Sequence, residues 1–177
     1  GQMSANSGLL AALLAAVSAF AAPPFATDGV GVNIHFTDPR PGEMEMIAAA
    51  GFKWVRMDFH WASIEKEKGV YDFSAYERLL AALKPYSIRA LFILDYTNKF
   101  YDDDLPPHTD AGRQAFARFA AAAVQHFKGN GILWEMWNEP NIKQFWKPAP
   151  NPADYSKLAI EVGKAIKDLP REALVLS

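Results

Sequence analysis

The sequence predicts an α/β fold built on a parallel sheet. Short apolar runs begin near residues 30, 52, 88, 132 and 173, and each gap between them holds one helical pattern. Crossovers of this kind join parallel strands with a right-handed turn. The third and fourth runs stop at polar and aromatic residues, Asp95-Tyr96-Thr97-Asn98 and Asn138-Glu139-Pro140-Asn141. Sites on helix-covered sheets are built at such strand ends. A closed (β/α)8 barrel and a doubly wound open sheet both satisfy the alternation. Against the second, no Gly-rich phosphate loop follows the first strand.

Half of the 177 residues are hydrophobic and 13% aromatic, enough for one sizeable core. The formal charge is −2, and the basic residues are dispersed, which argues against a nucleic-acid partner. With no cysteine, neither disulfides nor thiolate metal sites exist.

Residues 1–26 stand apart. Gly8 to Ala22 is nearly all Leu and Ala, shorter than the roughly 20 apolar residues a membrane span needs. It reads either as an Ala-rich helix packed on the domain or as a signal-like segment with Ala19-Phe20-Ala21 as a small-x-small site. A secreted or periplasmic location is the expectation, with a cytoplasmic one the alternative. Pro23-Pro24 ends the segment, and residues 27–177 form the domain.

Val30 to Phe36 alternates as a strand, with His35 near its end. Glu43 to Ala50 reads as a short helix with Met46, Ile47 and Ala50 at helical spacing, closed by Gly51. In Phe52 to Asp58, period two puts Trp54, Arg56 and Asp58 on one face. Unpaired charge is costly to bury. Either Arg56 pairs with Asp58 or it anchors a catalytic carboxylate. The run Glu65-Lys66-Glu67-Lys68 reads as a solvated loop, and Ser74 to Glu77 as a capping box. Tyr76, Leu79, Leu80 and Leu83 make the stripe of the helix that follows.

Ile88 to Leu94 is the third strand, and Asp95 and Tyr96 beyond it either bind ligand or brace the loop. Asp102-Asp103-Asp104 lacks calcium-loop spacing and reads as an exposed turn. Thr109 caps a helix whose apolar face runs from Phe116 to Phe127. Phe145 and Trp146 either stack on a sugar or pack as a lid. Asn151-Pro152 opens the last helix, and Ala173 to Ser177 opens a fifth strand.

The stretch from Ile132 to Asn141 carries the chemistry. A strand-end carboxylic acid beside an amide and Trp rings suits glycoside cleavage, which needs an acid to protonate the leaving oxygen. From pattern alone, a surface salt bridge explains Glu139 equally well.

Trp134-Glu135-Met136-Trp137-Asn138-Glu139-Pro140-Asn141 resembles the fourth-strand motif of clan A retaining glycoside hydrolases, in particular family 39 and the cellulase-type family 5. The run from Trp61 to Phe73 is similar to the segment leading into their second helix. The resemblance covers about residues 28 to 177. It implies a (β/α)8 TIM barrel, of which the first four βα units and the start of strand five are present here. It implies that Glu139 is the general acid/base and that Asn138 holds the sugar hydroxyl next to the scissile bond. It also implies that Arg56 supports the nucleophile, a Glu closing strand seven, which no position here matches. Arg56, His35, Asp58, Asp95 and Tyr96 would then line the floor, with Trp61 and Trp146 stacking on sugars. The reaction requires no metal and no organic cofactor.

A full barrel takes roughly 250 residues, so the chain reads as its N-terminal half. An open sheet edge invites pairing, so the C-terminal half or a second copy is the expected partner, besides a carbohydrate substrate. Two rivals stand beside this reading. One is a non-catalytic half-barrel that binds glycans. The other is a hydrolase using Glu65 or Asp95 as nucleophile.

Overall fold

The computed structural model describes residues 30–171 and 173–177. The segment 1–26, read above as helix or signal, lies outside them. Five strands, β1 (Gly31–Asn33), β2 (Trp54–His60), β3 (Arg89–Asp95), β4 (Leu133–Met136) and β5 (Ala173–Leu176), form one parallel sheet. Among the described residues, helices fill the four gaps, with two between β2 and β3 where one was expected: α1 (Glu43–Ala49), α2 (Trp61–Ile64), α3 (Ser74–Leu83), α4 (Asp110–His126) and α5 (Pro152–Ile166). The strands lie in sequence order from β1 to β5. A doubly wound sheet reverses its order at a switch point. The uninterrupted order is that of a barrel wall, and it decides between the two folds left open above.

The two faces of the sheet divide the side chains. Val55, Met57 and Phe59 of β2 are buried toward the helices, as are Ala90, Phe92 and Leu94 of β3 and Trp134 and Met136 of β4. Phe59 is the hub of this layer. Its ring lies 4.3 Å from Tyr76, 5.2 Å from Trp134, 5.3 Å from Phe92 and 5.8 Å from Phe119. Burial of this aromatic area is the main force holding helices to sheet. Leu79 and Leu83 of α3, Phe116, Phe119, Ala120 and Ala123 of α4, and Leu158, Val162 and Ile166 of α5 complete the layer.

The opposite face carries Trp54, Arg56, Asp58 and His60 of β2. Parallel register sets Arg56 against Leu91, Asp58 against Ile93, His60 against Asp95, and Ile93 against Glu135. This is the face that looks into a barrel, and its charged residues gather toward the C-terminal strand ends.

Some local expectations need correcting. In α1 the buried residue is Met44, while Met46 is 68% exposed and Ala50 lies beyond the helix. Met44 and Ile47, three residues apart, share the face turned to the core, so of the expected stripe Ile47 packs inward and Met46 does not. Ser74 does not cap α3; the Asp72 carboxylate accepts the Ser74 N–H at 3.0 Å instead. Glu65 is not solvated but 1% exposed. Its carboxylate accepts Trp61 Nε1–H at 2.5 Å, Gly69 N–H at 2.7 Å and the Tyr101 hydroxyl at 2.5 Å. Asp102 braces the acidic turn from within, accepting from Thr109 Oγ1, Thr109 N–H and His108 N–H. Thr109 and Asn151 cap α4 and α5 as expected, each accepting an N–H at 3.0 Å.

Candidate active site

The backbone after β4 creates the site. Trp137 and Glu139 both adopt left-handed φ, +63° and +48°. Non-glycine residues there are uncommon and cluster at functional positions. The turn breaks the strand's alternation. Trp137 goes to the helix side, fully buried, its Nε1–H donating to Phe145 O at 2.9 Å. Asn138 turns to the inner face. Glu139 is left exposed at the mouth of the sheet, its N–H directed to Ser177 Oγ at 3.3 Å. The Tyr155 hydroxyl ties this end to β5, lying 3.2 Å from Met136 O and accepting from Ser177 N–H at 3.2 Å.

A hydrogen-bonded chain crosses the inner face. Arg56 Nε and Nη2 donate to the two carboxylate oxygens of Glu135 at 2.9 and 2.8 Å. Arg56 Nη2 also donates to Asn138 Oδ1 at 2.9 Å. Asn138 Nδ2 then donates to the Tyr96 hydroxyl at 2.8 Å. The bidentate carboxylate raises the Arg56 pKa further. Burial raises that of Tyr96, so its hydroxyl stays protonated. The Tyr96 ring stacks on Phe145 at 5.7 Å, with 10° between planes.

A second cluster adjoins the first. Asp95 is completely buried, and neither of its carboxyl oxygens has a hydrogen-bond partner among the described residues. His60 Nδ1 lies 3.7 Å from Asp95, and His60 Nε2 lies 3.7 Å from Asp58. Burial and then the neighbouring Asp58 push the Asp95 carboxyl up to about 10, with Arg56 opposing. Asp95 is therefore a neutral acid at neutral pH.

Of the residues singled out from sequence, Arg56, Asn138 and Tyr96 form one network, with Asp58 and Asp95 beside it. His35 is exposed just past β1 and joins no hydrogen bond with the described residues. Trp61 and Trp146 are corrections, being 1% and 2% exposed, with no ring face open to a sugar. Trp61 is stacked on Tyr101 at 5.0 Å, and Trp146 packs on Trp137 at 4.9 Å. Arg56 does not pair with Asp58: the two stand on one face, two residues apart along the strand, and the guanidinium turns across the sheet instead. Its partner is Glu135, two strands away. Glu135, 8% exposed, was missed, as was His60. A lone acid inside the apolar strand β4 was the available signal, opposite in charge to Arg56 of β2. Glu65, with its carboxylate enclosed by donors below α2, has no access to a nucleophile's position.

A parallel sheet in sequential order, with polar groups gathered at its C-terminal strand ends, is part of a TIM barrel, a fold whose sites are built at that end. Solved structures sharing it include glycoside hydrolases. A family 39 glycoside hydrolase from Bacteroides cellulosilyticus is 24% identical, with a TM-score of 0.62 over 82% of this chain and 31% of that one. A family 39 β-xylosidase from Caulobacter crescentus is 22% identical, with a TM-score of 0.64 over 83% of this chain and 39% of that one. Among curated proteins, a β-xylosidase from Geobacillus stearothermophilus is 29% identical across 58% of this chain. The chain spans only 23% of that relative's length. No family model matches the sequence.

Proposed function

We propose that this chain supplies the acid/base half of a retaining glycoside hydrolase acting on a β-linked oligosaccharide or polysaccharide. Glu139 protonates the leaving oxygen and then deprotonates the incoming water. The nucleophile, a second carboxylate about 5–5.5 Å away in retaining enzymes, comes from the part of the barrel outside this sequence. The observation that carries the reading is the left-handed turn at Trp137 and Glu139. It presents an exposed carboxyl at the strand end next to an amide already oriented by Arg56 and Tyr96. Asn138 holds the sugar hydroxyl neighbouring the anomeric carbon. The alternative is a glycan-binding half-barrel without the second carboxylate; Trp61 and Trp146, the stacking rings the resemblance implied for the enzyme, are in the core and serve neither reading.

The test is chemical rescue. In the whole enzyme carrying this sequence, Glu139→Ala stalls a glycosyl-enzyme formed from an activated aryl β-glycoside, with an aryl xyloside as first choice given the β-xylosidases among its relatives. Azide is expected to restore turnover and give the β-glycosyl azide. Full activity of Glu139→Ala without azide would overturn the assignment. The 177-residue chain alone is expected to be inactive.

A further inference from the structure

The Arg56–Glu135 pair has a role that the reaction above does not use. Arg56 offers Nη2 to two acceptors at once, Glu135 Oε1 at 2.8 Å and Asn138 Oδ1 at 2.9 Å. Glu135 is nearly buried and takes both forks of the guanidinium, so the plane of Arg56 is fixed by β4. A guanidinium only donates. The atom of Asn138 facing it is therefore the oxygen. The amide nitrogen is thereby turned to the other side, where one of its two protons goes to the Tyr96 hydroxyl at 2.8 Å. The second proton remains for a ligand.

We propose that Glu135 is a positioning residue: through Arg56 it locks the Asn138 amide in the one orientation that makes Asn138 a hydrogen-bond donor to the sugar hydroxyl beside the scissile bond. Glu135 lies in β4 and Asn138 in the turn that follows it, three residues on, and Arg56 of β2 closes a loop between them. Without the carboxylate, the guanidinium loses its fork partner and the amide loses the contact that tells its oxygen from its nitrogen. This deepens the proposed function and rests on it for the identity of the ligand, but not for the orientation itself.

The experiment compares wild type and Glu135→Gln in the whole enzyme on two aryl glycosides, one with the neighbouring hydroxyl and one lacking it. It is paired with a crystal structure of the variant. The neutral amide keeps the volume of Glu135 but removes the charge that holds the fork. The expected result is a fall in kcat/KM of about 100-fold on the hydroxylated substrate and a change under about threefold on the deoxy substrate, since both changes remove one interaction. The structure is expected to show Asn138 parted from Arg56. Equal falls on both substrates, or an Asn138 that keeps both contacts, would overturn the proposal. If wild type cleaves neither substrate, the proposed function fails, and the orientation of Asn138 in the variant still decides this one. Should Glu135→Gln not fold, Glu135→Asp replaces it: the carboxylate shortened by one methylene cannot reach both Arg56 nitrogens, and the same split between substrates is expected.

Discussion

Arg56 on β2 reaches past β3 to donate to both carboxylate oxygens of Glu135 on β4, at 2.9 and 2.8 Å. The pair spans the inner face over β3, which is paired with both strands. Removing one partner leaves a charge facing low dielectric. Arg56→Met alone is expected to cost about 1–3 kcal/mol, discounted because the Arg56 side chain is about a third exposed. Arg56→Met with Glu135→Leu is expected to recover most of that. Urea unfolding of the two single variants and the double variant measures the coupling.

Asp95 makes stability depend on pH in an unusual direction. Its carboxyl is raised from 3.8 to about 10 by burial and by Asp58. In the unfolded chain it ionises near pH 4, whereas the folded chain retains the proton. Between these values the native state binds more protons, so this group's contribution to stability falls as pH rises. Asp95→Asn removes the penalty and is expected to stabilise the fold by about 1–3 kcal/mol at pH 7–8. At pH 3 the difference should vanish. Thermal melts of both proteins from pH 3 to 9 check it; a gap that widens toward low pH would contradict the assignment.

Glu65 is a structural carboxylate. Trp61, Gly69 and Tyr101 donate to it, so Glu65→Ala leaves three donors without their acceptor. A loss of about 2–4 kcal/mol is expected. Glu67→Ala, two residues on and exposed, is expected to be neutral within about 0.5 kcal/mol. Denaturant midpoints separate the two.

Trp146 is expected to behave as a core residue. Trp146→Ala vacates space against Trp137 and Tyr155 and should cost about 3–5 kcal/mol. A sugar-stacking Trp would instead leave stability intact and raise KM, so melting temperature and KM measured together distinguish the roles.

The strands and the larger helices were legible in the sequence because hydrophobic period and caps are local signals. Arg56, Asp58, Asn138 and Tyr96 were legible because charge or amide groups stand out in or just beyond an apolar strand. What escaped was set by chain contacts distant in sequence. Glu65 sits in a run of alternating charges; Trp61 and Gly69 donate to it from four residues away on either side, and Tyr101, 36 residues later, completes the enclosure. Trp61 and Trp146 carry the same side chain a sugar platform needs, and only packing against Tyr101 and Trp137 shows them to be core. Glu135 was hidden inside a motif whose interest lay four residues on, at Glu139.

The dependence of Glu139→Ala on the leaving group tests the acid role most directly. For a series of aryl β-glycosides in the whole enzyme, proton donation matters most when the leaving phenol is weakly acidic. The formation of the glycosyl-enzyme by the variant is expected to approach the wild-type rate with a dinitrophenyl leaving group and to fall by about 10²–10⁴-fold with an unactivated one. A uniform loss across the series would show that Glu139 donates no proton to the departing oxygen.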